Sequence, residues 1–212
     1  MALKKVWSTS LFLLTPLWGI GMFLVLFFWA AYLYPGGSQA DRSATGFSWM
    51  HNYWCNLLSE QAINGSPNPA RPVALTAMVI LCVSLSVFWY LLPLLFSLTR
   101  RNRRLLQWMG ICAMLSSLFI FTAYHDVVIM IASLFGFFAL LGTFAGLYSS
   151  HLINLFWFGI GCLLLMAVNN YIYYTDTLMD YLPVVQKVTF AVVLFWIAWM
   201  TRTIYLHVQQ PA

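Results

Sequence analysis

Polar side chains that could bind a ligand or carry out chemistry are concentrated between the first two apolar stretches of the chain. From Trp49 to Glu60, apolar and polar residues recur with alternating spacings of one and three. This spacing is typical of an amphipathic helix, and Ser48 is a suitable N-cap for it. The apolar face would hold Trp49, Met50, Tyr53, Trp54, Leu57 and Leu58, and the polar face His51, Asn52, Cys55, Asn56, Ser59 and Glu60.

The polar face of this helix has two possible roles. It could face water while the helix anchors the protein at the membrane interface. It could instead face a cavity between membrane spans. The second role is favoured by the absence of Lys and Arg from the face, which offers imidazole, amide, hydroxyl and carboxylate groups instead. Such groups bind polar lipid head groups or metal ions.

A His125-Asp126 pair forms the very short connection between two later apolar stretches. Polar groups at this depth in a bilayer are costly unless they have partners. Asp126 could cap the following helix while His125 faces water. Alternatively, His125 faces the polar helix, and we then expect His51 and His125 to share one outer cavity within about 10 Å, a helix-to-helix spacing, with Asn56, Glu60 and Asp126 nearby.

Three further polar elements are predicted near the same membrane surface. A proline-rich turn places Arg71 at the start of the second apolar stretch. Asn169 and Asn170 lie beside tyrosines that are typical of an interfacial aromatic belt. Lys187 either extends its ammonium to the surface or pairs with an outer carboxylate such as Glu60 or Asp126.

The elements that must position these groups are membrane-spanning helices. Of the 212 residues, 62% are hydrophobic and 7% are charged, whereas soluble domains carry about 25% charged residues. The composition therefore excludes a soluble enzyme and predicts an all-α, polytopic bundle of six transmembrane helices with a short outer helix, in one domain over 1–212. The spans are predicted at about 11–34, 73–98, 105–124, 127–148, 152–174 and 182–205, with an outer loop at about 35–72.

The distribution of charge predicts the orientation of the six spans. Lys4, Lys5, the arginine run at 100–104 and Arg202 fall on one side, which the positive-inside rule assigns to the cytoplasm. All five acidic residues fall on the other side. We therefore expect both termini in the cytoplasm, in a plasma (bacterial inner) membrane. The clustered basic residues do not form a nucleic-acid patch, and no nucleic-acid partner is expected.

Two stretches of the outer loop carry a resemblance to known proteins. They are 46–60, and the Asn-Pro-Ala-Arg-Pro sequence of 68–72. Together they resemble the outer loop of an uncharacterised bacterial six-span family, a domain of unknown function grouped with DRAM-like membrane proteins. The resemblance implies the six-span fold, and the family has no settled activity. The matching residues are Asn56, Ser59, Glu60, Asn68, Pro69 and His125.

A weaker resemblance is to the alkaline-ceramidase-like membrane hydrolases. Asn56-Leu-Leu-Ser59 and His125 resemble the serine and histidine elements of that superfamily. The resemblance implies a zinc-dependent hydrolase. The chain lacks the seventh span and the paired His-x-x-x-His of those enzymes.

Three functions are therefore compatible with the sequence. The first is binding or sensing of a lipid head group or another amphiphile, with no cofactor. The second is membrane-embedded hydrolysis of a lipid amide or ester, and the third is an accessory role with a membrane-protein partner or a second copy of the chain. The ligand-binding residues under the first hypothesis are His51, Asn52, Asn56, Arg71, Asn169, Asn170 and Lys187.

The hydrolase hypothesis assigns specific roles to the polar residues. His51, His125 and Asp126 would hold a zinc ion, which activates water in catalytic sites of this kind. Glu60 or Ser59 would handle the proton. The catalytic residues under this hypothesis are His125, Asp126, Glu60 and Ser59.

Overall fold

Long helices make up most of the protein. The computed structural model describes residues 11–120 and 124–209, and for His125 and Asp126 it describes the backbone alone. Within these ranges the only β pairing consists of the isolated bridges Gly36–Thr45 and Gln61–Pro67. The helices are α1 (Thr15–Leu33), α2 (Ala70–Leu91), α3 (Arg100–Ser117), α4 (His125–Ser149), α5 (Ile153–Thr175) and α6 (Leu182–Gln209), with 3-10 helices at Trp54–Leu58, Leu92–Leu95 and Met179–Tyr181.

Within the described ranges, five helical segments are long and apolar enough to cross a membrane. They agree in position with five of the six predicted spans. The remaining predicted span, at 105–124, overlaps α3, which has 18 residues and carries four arginines in its first five positions. These charges give α3 a composition unlike that of the other five segments. Residues 121–123 of that predicted span lie outside the described residues. The five segments are Thr15–Leu33, Ala70–Leu95, Val127–Ser149, Ile153–Thr175 and Met179–Gln209.

The chain forms two compact units. One comprises the chain up to Gly21, Val79–Gly159 and the chain from Trp196 onward, and the other comprises Met22–Met78 and Ile160–Phe195. In the first unit, glycines allow close approach of bulky side chains. A Cβ on Gly110 would overlap the Trp89 ring, and one on Gly146 would lie 2.5 Å from Phe96. Small residues have this role at helix interfaces in membranes.

In the second unit, four aromatic rings form a cluster. Trp54 lies 5.9 Å from Phe23, 5.1 Å from Phe27 and 5.1 Å from Phe190, measured between ring centroids. These rings come from the outer loop, α1 and α6. Such separations are favourable for tilted and edge-to-face aromatic pairs, so the cluster joins the loop to both helices.

The outer loop does not contain the α-helix expected over 49–60. A turn at 49–51 is followed by the 3-10 helix Trp54–Leu58. The amide oxygen of Asn52 accepts the Ser48 N–H (2.8 Å), and that of Asn56 accepts the Tyr53 N–H (2.7 Å). Asparagine side chains compete in this way with backbone hydrogen bonding, and here they replace a continuous helix with two short turns.

Candidate functional site

The candidate site is the outer loop that follows α1, together with the start of α6. The loop begins at two glycines with positive φ, Gly36 (146°) and Gly37 (83°). A Cβ on Gly37 would collide with the backbone nitrogen of Asn64, so glycine permits both the conformation and the close approach. The Gly37 N–H also donates to the Ala44 carbonyl (2.7 Å). The two arms of the loop therefore meet at this point.

Asn52 lies at the centre of the loop and is fully buried. Its side-chain oxygen accepts the Ser48 N–H, and its side-chain nitrogen donates to the Gly37 carbonyl (2.8 Å). Both ends of the amide are therefore engaged, as buried polar groups require. The sequence predicted Asn52 as a ligand-binding residue, and the structure places its side chain in the internal support of the loop.

Asn68 has the same supporting role at the end of the loop. Its side-chain nitrogen donates to the carbonyls of Asn56 (3.2 Å), Leu57 (3.2 Å) and Ser59 (2.9 Å). Its side-chain oxygen accepts the Ala70 N–H (3.1 Å) at the start of α2. One amide thus closes the 3-10 helix at Trp54–Leu58 and caps the next helix.

Two polar side chains of α6 hold the loop from below. Gln186 accepts the Trp54 N–H through its side-chain oxygen (3.3 Å). Lys187 donates from Nζ to the Asn52 carbonyl and to the Pro183 carbonyl (2.9 Å). Its Nζ also lies 5.7 Å from the centre of the Phe47 ring, within range of a cation–π contact.

Lys187 has no carboxylate partner among the residues that the structure describes. In that part of the chain the one ion pair joins Arg71 Nη1 and Glu60 Oε1 (2.9 Å). Glu60, which was expected as a possible partner of Lys187, therefore pairs with Arg71. Two of the three N–H donors of the ammonium are used, both on neutral carbonyls, and its positive charge is not compensated within the described protein.

The loop also presents groups that are exposed. His51 is exposed, and its Nδ1 lies 3.2 Å from Ser48 Oγ, which accepts the His51 N–H as the predicted N-cap would. Ser59 is exposed as well. Cys55 is exposed as a residue. Burial around its sulfur raises the pKa of the Cys55 thiol, and the nearby Lys187 charge lowers that pKa by a smaller amount. These groups, like the exposed Arg42 and Glu60 of the same loop, are ones that an incoming molecule could reach.

The predicted asparagine pair of α5 lies at the end of that helix. Asn169 is partly buried, and Asn170 is exposed beside the exposed Tyr171. Within the described ranges, neither side chain has a hydrogen bond to the loop. The aromatic belt expected there is consistent with the exposure of Tyr171, Tyr173 and Tyr174.

The shared cavity of His51 and His125 stays a prediction. The side chains of His125 and Asp126 lie outside the described residues, and so does any ligand set that includes them. Among the residues described, no three His, Cys, Asp or Glu side chains lie close enough together to hold a metal ion. The zinc-hydrolase hypothesis depends on His125 and Asp126 and is not tested.

The sequence left three supporting residues unassigned. Gln186 is a polar residue next to Lys187 near the start of a largely apolar helix, and this position is the signal that could have given it a supporting role. Tyr34 accepts the Ile63 N–H through its hydroxyl (3.0 Å), and burial raises its pKa. Phe47 gave no signal, because its contact with Lys187 depends on the fold of the loop.

Comparison with known proteins adds no family to this description. No family model, curated protein or solved structure matches the chain. The resemblance of the outer loop to the six-span family therefore stays a prediction.

Proposed function

We propose that the protein is a multi-pass membrane protein that binds the anionic head group of an amphiphile at its outer loop, beside Lys187. The observation that carries the proposal is the ammonium of Lys187, which donates to the Asn52 and Pro183 carbonyls and has no carboxylate partner among the described side chains. The location is a plasma membrane, with both termini in the cytoplasm and the loop outside.

The energetics of a partly buried charge support an anionic ligand. A cation removed from water loses hydration energy, and neutral carbonyls replace only part of it. A phosphate or carboxylate oxygen could take the third N–H of Lys187 and neutralise its charge. Hydrogen bonds to charged groups contribute about 1.5–3 kcal/mol, which corresponds to roughly 10- to 150-fold in affinity.

The surroundings of Lys187 suit an amphiphile rather than a small soluble anion. Phe47 contacts the ammonium and also packs against Tyr34 and Trp49, with ring centroids 5.7 and 5.1 Å apart. Trp49 is 44% exposed and packs on Phe28 of α1. A polar group at Lys187 would thus have an exposed aromatic surface nearby for its apolar portion.

The test uses Cys55 as a local reporter in the full-length protein. The rate of Cys55 alkylation is measured with and without dihexanoyl-phosphatidylglycerol, which is anionic, or dihexanoyl-phosphatidylcholine, which is zwitterionic. We expect the anionic lipid to slow alkylation at concentrations about tenfold below those needed for the zwitterionic one. In Lys187→Gln this preference should disappear. For each variant, the alkylation rate with lipid is divided by the rate without lipid, because Lys187 also affects the reactivity of the Cys55 thiol itself.

Two control variants separate charge from loop structure. Gln186→Ala removes a support of the loop without changing charge, and Arg42→Gln removes an exposed cation from the same loop. Both should keep the preference for the anionic lipid. Loss of the preference in either control, or its retention in Lys187→Gln, would overturn the proposal.

A further inference from the structure

Two grooves lie along adjacent faces of α3 in the first unit. One groove has a volume of about 480 Å³ and is lined on α3 by Arg100, Arg103, Arg104 and Gln107. The spacing of these residues, three, one and three, places them on one helical face. Gln107 donates to the Tyr90 carbonyl (2.7 Å), which ties this face to α2. The basic groove is therefore a defined surface rather than a random cluster of arginines.

The second groove lies between α3 and α4 and is almost entirely apolar. Its volume is about 580 Å³, within the range of small-molecule sites. Leu98 lines both grooves, so the basic and apolar surfaces adjoin. The residues of the apolar groove include Leu105, Leu106 and Met109 of α3, and Leu134, Phe138 and Ala145 of α4.

The charge of the basic groove is not balanced by the protein that the structure describes. The three arginines that line it, Arg100, Arg103 and Arg104, are exposed. In the described ranges the one ion pair is between Arg71 and Glu60. Guanidinium groups bind phosphate with two parallel hydrogen bonds, so the groove is suited to bind a phosphate group.

The apolar groove is open because α4 is covered little by the rest of the chain. Only 11% of its most apolar window is buried, so lipid or another protein must cover the remainder. A second copy in a two-fold arrangement would present the same surface to itself. It would bring arginines towards arginines, which opposes association. An anionic lipid satisfies both the charge and the apolar surface.

We propose that an anionic phospholipid binds at this junction, with its phosphate on Arg100, Arg103 and Arg104 and one acyl chain in the apolar groove. Basic pockets between membrane helices bind anionic head groups in this way. The site is independent of the one proposed at Lys187, since it uses none of the same residues. A phospholipid bound at this site gives the arginine run at 100–104 a ligand, in addition to the membrane orientation that the positive-inside rule predicts from the same residues.

The experiment measures lipid retention on the full-length protein by native mass spectrometry in a neutral detergent. Dioleoyl-phosphatidylglycerol and dioleoyl-phosphatidylcholine are titrated separately. We expect the anionic lipid to bind at least tenfold more tightly. Arg104→Gln should weaken this binding at least fivefold, whereas Arg101→Gln should change it less than twofold, because Arg101 carries the same charge but lines neither groove. Ala145→Phe, which fills the apolar groove at an exposed position, should also weaken binding.

The outcomes distinguish the possible occupants. Equal binding of the two lipids, or equal effects of the Arg101 and Arg104 variants, would overturn the proposal in favour of diffuse surface charge. A dimer in the same spectra that Ala145→Phe dissociates would show that a second copy covers the groove, and would also overturn it. If Ala145→Phe does not fold, the exposed arginine variants still decide between these results. The titration is repeated in Lys187→Gln, which removes the Lys187 site. The anionic preference and the effect of Arg104→Gln should persist in that background, so this site and the Lys187 site can fail separately.

Discussion

Asn68 should be the residue on which the outer loop depends most. Its side-chain nitrogen donates to three loop carbonyls at 2.9–3.2 Å, its side-chain oxygen caps α2, and the side chain is almost completely buried. Asn68→Ala removes all of these bonds. The buried Leu57 carbonyl loses the Asn68 donor, whereas the Asn56 carbonyl still accepts the Ser59 N–H. Asn68→Asp keeps the cap but turns an oxygen towards the same carbonyls.

The expected magnitude follows from the bonds that are lost. A buried polar group left without a partner costs about 1–3 kcal/mol, and loss of a helix N-cap costs about 0.5–2 kcal/mol. The three carbonyls share the two hydrogens of one amide, so their losses do not simply add. We therefore expect Asn68→Ala to lower the free energy of unfolding by about 2–4 kcal/mol, on the basis of those two terms.

The aspartate variant adds a dependence on pH with a definite sign. Only the protonated carboxyl can donate to a carbonyl, so the folded state raises the pKa of the introduced group above its unfolded value of about 3.9. A group with a raised folded pKa loses its stabilisation as pH rises. The free energy of unfolding of Asn68→Asp should therefore be closer to that of the wild type at pH 5 than at pH 8. At pH 8 it should be no higher than that of Asn68→Ala.

The measurement is thermal unfolding of the purified protein in detergent at both pH values, followed by tryptophan fluorescence. Asn64→Ala is the matched control, because Asn64 is exposed and its side chain accepts only the Ser66 N–H (3.0 Å). Its effect should stay below about 1 kcal/mol, as for a single hydrogen bond. If Asn68→Ala were no less stable than Asn64→Ala, or if Asn68→Asp were insensitive to pH, the assignment of Asn68 as the central support would be wrong.

Two further predictions concern packing and orientation. Gly110→Ala should lower the free energy of unfolding by about 1–3 kcal/mol, the usual effect of overpacking, because its Cβ would overlap Trp89. Gly136→Ala is the control and should have no such effect, because its Cβ would meet nothing within 4 Å. Equal melting temperatures of the two variants would contradict the close packing of Gly110 on Trp89. A membrane-impermeant maleimide should label Cys55 on intact cells, whereas the buried Cys82 and Cys162 should react only after denaturation. If Cys55 were labelled only after the cells are permeabilised, the loop would face the cytoplasm and the proposed orientation would be wrong.

Helix positions were predictable from the sequence because a membrane span requires little more than about 20 apolar residues. Five predicted spans agree with helices of the structure. The apolar stretch at 105–124 did not predict where α3 begins, because the helix starts at Arg100, in the arginine run that precedes the apolar residues. The start of a helix thus depends on capping residues that a hydropathy pattern does not include. Here the capping residue is Thr99, whose hydroxyl accepts the Asn102 N–H.

The loop was less predictable because its asparagines bond to distant parts of the backbone. The one-and-three spacing over 49–60 grouped Leu57 with Trp49 on an apolar face and placed Asn52 on the polar face, but Leu57 and Asn52 are both buried, whereas Trp49 is 44% exposed. Spacing cannot show that the Asn52 amide reaches Gly37, 15 residues away in the sequence. Likewise, Glu60 and Arg71 were both expected near the site, but their mutual pairing depends on the turn between them, where Gln61 bridges to Pro67.

The attachment of the outer loop to α6 has a consequence for how a new chain assembles. The partners of Trp54 and Asn52 on α6 follow them by 132 and 135 residues. At synthesis rates of about 5–20 residues per second, the loop leaves the ribosome on the order of ten seconds before Gln186 and Lys187 exist. During that interval its backbone groups have only local partners. Quality-control proteases should therefore find this loop in any chain that stops before α6, and completion of the last helix is the step that protects it.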